Sequence, residues 1–202
     1  MTLPVEAREL LDYWFGQPGP TGLPPDDRYS LWFGASEDVD AQLQRAFGKL
    51  VADASAGRLD DWAQTAEGRL ALILLMDQLP RNLFRDRSGA FATDARALEL
   101  ALTGLANGDD GSLAPIKRVF FYLPFEHAED LAMQDRAVDL FEALEREAPE
   151  GGERMFALFT DYARKHRAVI ARFGRFPHRN AVLGRESTSE EIAFLAEHGP
   201  GF

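Results

Sequence analysis

The sequence predicts an all-α fold in which residues 1–202 form a single domain. Apolar residues recur at the spacing of three and four that is typical of amphipathic helices, and no segment shows the strict alternation of a strand. A length of 202 residues fits one domain. A hydrophobic content of 46%, with 15 Phe, is sufficient for one sizeable core.

The first half of the chain contains three predicted helices and one long turn. Residues 5–15 place Leu10, Leu11, Trp14 and Phe15 on one side, and residues 16–27 are rich in proline and glycine. Ser36 is a candidate N-cap for a helix that ends near Gly57. The aromatic residues in this half are expected to fill the space between helices, although a ligand-stacking surface is the alternative; they include Trp14, Trp32, Phe33 and Trp62.

Residues 67–79 form the most apolar predicted helix. Because its middle is apolar on nearly all sides, we expect it to lie at the centre of the fold. Pro80 is expected to break the helix. Asp77 and Gln78 are polar residues at the end of this buried segment, so each needs a hydrogen-bond partner. Asp77 either pairs with Arg81 or contributes to a cavity.

The second half of the chain contains five predicted helices. Thr93 or Asp94 begins the first, Pro124 is expected to stop the second, and Gly174 ends the fourth through a positive φ angle. Thr188 and Glu191 form a candidate capping box for the last helix. The predicted helices before it span residues 91–106, 116–123, 125 to about 148, and 154–172.

Composition and charge restrict the classes of function. The net charge of −11 makes broad contact with nucleic acid or anionic membranes unlikely. The chain contains no cysteine, and its longest apolar run, residues 70–76, is too short to cross a bilayer. We therefore expect a cytoplasmic protein that does not bind membranes.

One basic segment stands out from this acidic background. Residues 161–185 carry seven Lys or Arg and one Asp, a net charge of +6, so the rest of the chain carries −17. Arginine offers a planar set of N–H donors that suits carboxylate or phosphate. The segment therefore either pairs with internal acids or binds an anionic small molecule.

Three polar segments are candidates for one shared site. Standard hydrolase, zinc-protease and phosphate-loop motifs are missing from the sequence, and the histidine spacing fits no standard metal site, so no metal is predicted and the cofactor is unknown. The predicted ligand-binding residues are Gln78, Arg81, Asn82, Arg175, Arg179 and Asn180. The predicted catalytic residues, which would act as acid, base or orienting group, are Asp77, His127, His166 and His178.

Several motifs resemble those of a bacterial family known as domain of unknown function 924. The resemblance covers nearly the whole chain and rests on WF at 32–33, DQLPRNLFR at 77–85, LPFEHAED at 123–130, RFGRFPHRN at 172–180 and LGREST at 183–188. One departure is Ala128, where the family usually has Ser. The resemblance implies an array of antiparallel helix pairs similar to tetratricopeptide repeats, and it implies no reaction.

That implied architecture adds a second class of function. A groove between helix pairs can hold an acidic peptide against basic residues. A third alternative is that the motifs only lock the helices together through buried ion pairs. The partner is therefore expected to be an anionic small molecule or an acidic peptide, and the oligomeric state is not predicted.

Overall fold

The protein is built from helices throughout the part that the structure describes. The computed structural model describes residues 2–17, 19, 21–24 and 28–199, and these contain no strand, as the sequence predicts. Part of the predicted loop at 16–27, including Pro18 and Pro25, lies outside the described residues. The helices are α1 (Val5–Phe15), α2 (Tyr29–Phe33), α3 (Glu37–Ser55), α4 (Ala66–Ile73), a π-helical turn (Leu74–Gln78), α5 (Leu79–Leu83), α6 (Asp94–Asn107), α7 (Pro115–Glu126), α8 (Leu131–Arg146), α9 (Glu153–Phe173) and α10 (Ser189–His198).

The segment formed by α4 and the π-helical turn lies at the centre of the main core. Every residue from Leu70 to Met76 is 0% exposed, which confirms the central position predicted from its apolar surface. Helices α1, α6 and α7 pack against α4, and α8 packs most extensively against α9. Within the described ranges, no helix combines the length and the apolar character that crossing a bilayer requires.

The prediction that Pro80 breaks the central helix was wrong. The chain continues helically to Leu83, and the π-helical turn precedes the proline, with the Leu79 N–H donating to Leu74 O. Proline has no N–H, so the helical partner of Met76 O is missing. The hydroxyl of Thr93 takes that place and donates to Met76 O at 2.6 Å.

The predicted boundary between α7 and α8 was also wrong. Pro124 lies inside α7, which continues to Glu126, and α8 begins only at Leu131 with Asp130 as its N-cap. The wide turn between them is held by Gln134, whose amide donates to the backbone oxygens of Glu126 at 2.5 Å and Ala128 at 2.8 Å. Residues 126–128 are therefore fixed against the start of α8.

The basic loop after α9 is closed by ion pairs. Gly174 takes φ +69° and ends α9, and Thr188 forms the predicted capping box with Glu191, so both predictions are confirmed. Arg175 donates to both carboxylate oxygens of Glu191, at 2.7 and 2.9 Å. Arg185 pairs in the same way with Glu129, at 2.6 and 2.9 Å.

We expect the Arg175–Glu191 pair to stabilise the C-terminal loop in a pH-dependent manner. The Arg175 guanidinium lowers the pKa of Glu191 from 4.5 to about 2, so this contribution is complete above pH 4.5 and is lost as the pH falls towards 2. Substituting Glu191→Gln should flatten that part of the stability profile, measured by chemical denaturation as a function of pH.

A matched pair of arginine variants tests the same contact. Arg175→Ala should lower the Tm by about 2–4 °C, because it leaves the buried Glu191 carboxylate without its charged partner. Arg164→Ala removes a solvent-exposed pair with Glu142 and should leave the Tm almost unchanged. Equal effects of the two substitutions would contradict a special role for the Arg175 pair.

Candidate functional site

A cavity of about 560 Å³ lies between α2, α5, α7 and α9. One wall is apolar and largely aromatic, and it is formed by Tyr29, Trp32, Phe33, Leu123 and Phe159. The other wall is polar and contains Gln78, Arg81, Asn82, Glu126, His127, Tyr162, Lys165 and His166. This size is within the range of pockets that bind small molecules.

The structure brings five of the ten predicted site residues to this cavity. These lining residues are Gln78, Arg81, Asn82, His127 and His166. Asp77 lies directly behind the wall, where it contacts His127 and Gln78. The other four predicted residues, which are outside the cavity lining, are Arg175, His178, Arg179 and Asn180.

Asp77 and His127 form a buried carboxylate–imidazole pair. His127 Nδ1 lies 2.8 and 2.9 Å from the two oxygens of Asp77, whose side chain is 0% exposed. Because a carboxylate accepts hydrogen bonds, Nδ1 carries the proton and Nε2 is left as the basic nitrogen of the neutral ring. This is the arrangement in which a carboxylate orients a histidine base.

The charges around this pair set its protonation. Burial raises the pKa of Asp77, but Arg81 and His127 outweigh burial and hold the pKa well below its usual range. Burial, together with the positive charge of Arg81, lowers the pKa of His127 despite the attraction of Asp77. Asp77 is therefore ionised at neutral pH, and His127 is neutral and available to accept a proton.

Behind the cavity wall, negative and positive side chains alternate in the order Asp77, Arg81, Asp94 and Arg179. Arg81 donates to Asp94 at 3.1 and 3.0 Å and also donates to the backbone oxygen of Asp77. Arg179 reaches the same Asp94 at 3.3 Å, and its guanidinium lies over the rings of Phe91 and Phe176 at 4.6 and 4.5 Å. Burial, followed by repulsion from Arg81, lowers the pKa of Arg179 to about 10.

The remaining predicted residues hold the C-terminal loop. Asn180 donates to Ser187 at 3.0 Å and to Glu191 at 3.3 Å, so it belongs to the same cluster as Arg175. His178 lies against Phe176, with ring centroids 5.7 Å apart, and burial together with Arg179 lowers its pKa to about 4. In this structure Arg175, His178, Arg179 and Asn180 contact other residues of the protein and do not line the cavity.

Glu126 is the main cavity residue that the sequence did not reveal. Its carboxyl is 3% exposed and lies 3.1 Å from His166 Nδ1, which also contacts Tyr162 O at 2.9 Å. Burial and the charge of Asp77 raise the pKa of Glu126 to about 8, and burial lowers the pKa of His166 to about 3. The sequence predicts a helix that begins at residue 125, and the first turn of a helix favours an acid, so Glu126 was not singled out there.

Two cavity residues on α9 were also missed as site residues. Lys165 pairs with Asp161 at 2.6 Å, one helical turn away, and its side chain is 52% exposed. Tyr162 lies beside it, with Lys165 Nζ 5.2 Å from the ring centroid. The helical periodicity of α9 gave a signal for both, since His166 and Tyr162 are one turn apart. Among the residues that the structure describes, no group of three or more His, Asp or Glu is placed to hold a metal.

Comparison with known proteins identifies relatives but no activity. Residues 10–199 match the model of a family described as bacterial protein of unknown function (DUF924). A solved structure, the protein of unknown function ATU0120 from Agrobacterium tumefaciens, is similar to the chain with 40% identity and a TM-score of 0.79. The similarity covers 95% of this chain and 97% of that one. No curated protein matches the chain.

We expect the Asp77 carboxylate to be essential for stability. Asp77→Ala should cost about 3–5 kcal/mol of unfolding free energy, because it leaves the partly buried Arg81 with one partner fewer and removes the acceptor of His127. Asp135→Ala is the control, since it removes an exposed pair with Arg167 and should cost about 0–1 kcal/mol. Urea denaturation measures both, and a loss for Asp77→Ala as small as the control's would contradict this account.

Proposed function

This chain belongs to the DUF924 family of bacterial proteins of unknown function, and we propose that it is an acid–base enzyme that binds a small anionic molecule in its cavity. The observation that carries the proposal is the position of His127. Its Nδ1 is held by a fully buried carboxylate at 2.8 Å while its ring lines the cavity. A fixed neutral imidazole that faces a binding site suits the role of general base.

The polar wall favours a ligand with a carboxylate or phosphate group. Lys165 provides N–H donors, Arg81 adds a positive charge while it donates to Asp94, and Glu126, the acid of this lining, is protonated at neutral pH. Among the described residues, the ion-pair partner of Lys165 is the solvent-exposed Asp161. An exposed pair of this kind contributes about 0–1 kcal/mol of stability. An anionic ligand can therefore replace Asp161 as the partner of Lys165 at little cost in free energy.

The aromatic wall favours a flat apolar body attached to that acidic group. Trp32 is fixed by its indole N–H, which donates to Trp14 O at 2.9 Å. The ring centroid of Phe33 lies 6.1 Å from that of Phe120 and 6.0 Å from that of Phe159. Rings held in this way offer a preformed surface for an aromatic or other planar group. We therefore expect aromatic carboxylates to bind better than aliphatic ones.

The alternative is an interaction module with a tetratricopeptide-like arrangement of helix pairs. The side-by-side packing of α7, α8 and α9 supports such an arrangement, which stays a prediction. An acidic peptide would need basic side chains that are available to it. Arg175 and Arg179 are instead engaged with Glu191 and Asp94, so the cavity favours the small-molecule proposal.

A binding experiment with a matched pair of lysine variants tests the proposed ligand class. The probe is benzoylformate, which combines an aromatic ring with a carboxylate, and cyclohexanecarboxylate serves as the aliphatic comparison. Lys165→Ala should weaken benzoylformate binding about 5–10-fold, as expected for the loss of one partly exposed charged contact. Isothermal titration calorimetry measures the affinity.

Lys49→Ala is the control for that experiment. Lys49 forms the same type of pair with an Asp four residues away, also at 2.6 Å, but on α3 and outside the cavity lining. It should leave the affinity unchanged. Failure of benzoylformate to bind the wild-type protein, or an equal loss in both lysine variants, would contradict the proposed ligand class.

A further inference from the structure

Glu126 and His127 are consecutive residues that present two different proton-transfer groups to one cavity. Glu126 closes α7 and His127 is its C-cap, and the Gln134 amide holds the turn that follows. The rings of His127 and His166 lie 6.3 Å apart, and Glu126 Oε1 is 3.1 Å from His166. Neighbouring atoms of one small substrate can therefore reach both Glu126 and His127.

We propose that Glu126 is a second catalytic residue, which donates its proton towards a substrate carbonyl oxygen while His127 removes a proton from the adjacent carbon. This inference rests on the proposed function and extends it to a reaction, the enolisation of a small carbonyl compound. The substrate class that fits both walls is a keto acid with an aromatic or other planar body.

The reaction balances without any further reactant. His127 Nε2 takes a proton from the carbon next to the carbonyl, and the electrons of that C–H bond form a C=C bond. The π electrons of the carbonyl move onto its oxygen, which accepts a hydrogen bond or the proton from Glu126. In the reverse step His127, after exchanging its proton with solvent, returns a proton to the carbon while the oxygen gives any proton it received back to Glu126, which restores the ketone with solvent hydrogen in place of the original one.

The surroundings of Glu126 keep its carboxyl protonated at neutral pH. Within the described part of the chain, no Lys or Arg lies within ion-pair distance of the carboxyl, and Glu126 Oε1 lies 3.1 Å from Nδ1 of the neutral His166 ring. Burial, followed by the charge of Asp77, raises the pKa of Glu126 to about 8. The titratable and charged groups around the cavity and just behind its wall are Asp77 on the π-helical turn, Arg81 on α5, Tyr29 on α2, Asp94 on α6, His127 after α7, Tyr162, Lys165 and His166 on α9, and Arg179 in the loop after α9.

A neutral carboxyl group is well suited to this role. It donates a strong hydrogen bond to a developing oxyanion and brings no negative charge of its own to the site. An ionised carboxylate would instead repel both the enolate and the carboxylate of a keto acid. This role gives a chemical reason for the burial of Glu126 without a Lys or Arg among the described residues at ion-pair distance.

Deuterium exchange of phenylpyruvate in D2O tests the inference. The full-length protein should accelerate the loss of the benzylic proton signal, followed by ¹H NMR, above a buffer control. Benzoylformate has no hydrogen on the carbon next to its ketone, so it reports binding alone. His127→Gln should lower the exchange rate at least about 100-fold, and Glu126→Gln should lower it about 10–100-fold.

The pH profile separates a catalytic role of Glu126 from a structural one. Exchange by the wild-type protein should fall as the pH rises through about 8, where Glu126 loses its proton. Glu126→Gln has no such proton, so its residual exchange should lack this decrease. Both variants should still show saturable binding of benzoylformate, which shows that the cavity is intact.

The outcomes distinguish this inference from the proposed function. Binding of benzoylformate and phenylpyruvate without accelerated exchange overturns the enolisation inference and leaves the ligand class standing. Exchange that is unaffected by Glu126→Gln, at every pH, overturns the role of Glu126. Absence of both binding and exchange contradicts the proposed ligand class together with the inference.

Discussion

The buried carboxylate of Asp77 is the constraint on which the site depends. It is 0% exposed and is surrounded by the side chains of Gln78, Arg81 and His127, which come from the central helical segment and from the end of α7. An unpaired charge in this position would be very costly, so the partners have to be present in the folded state. The pair thereby fixes α7 against the centre of the fold and holds the His127 ring at the cavity wall.

The π-helical turn gives this carboxylate its position. π-helical turns are rare and occur often at functional sites. Here the turn lies at Leu74–Gln78, just before Pro80. Pro80 has no N–H to donate to the Met76 carbonyl, and the hydroxyl of Thr93 donates to it instead. The hydroxyl of Thr93 and the carboxylate of Asp94 are neighbours in sequence, so the start of α6 is tied both to Met76 and to Arg81. One irregular turn therefore connects the core, the ion pairs and the cavity.

Much of the fold follows from local sequence signals, whereas the site depends on contacts between distant segments. The helix ends at Gly174 and at Thr188 are predictable because a positive φ angle and a capping box need only neighbouring residues. The effect of Pro80 is not predictable in this way, because the tertiary contact from Thr93 to Met76 O compensates for the missing donor. Pairing with internal acids was one of two alternatives that the sequence left open for the basic segment, and the acid that pairs with each arginine can be as far as 85 positions away in the sequence. Glu126 was missed for the same reason, since its burial becomes evident only when α7, α9 and the π-helical turn meet.

The central claim is that Asp77 holds His127 as a neutral base whose Nε2 is free of a proton. The most direct test is ¹⁵N NMR of the imidazole nitrogens, assigned by comparison with His127→Gln. At pH 6.5 and above we expect His127 to be the neutral tautomer with its proton on Nδ1. A proton on Nε2 instead, or a doubly protonated ring at neutral pH, would contradict it.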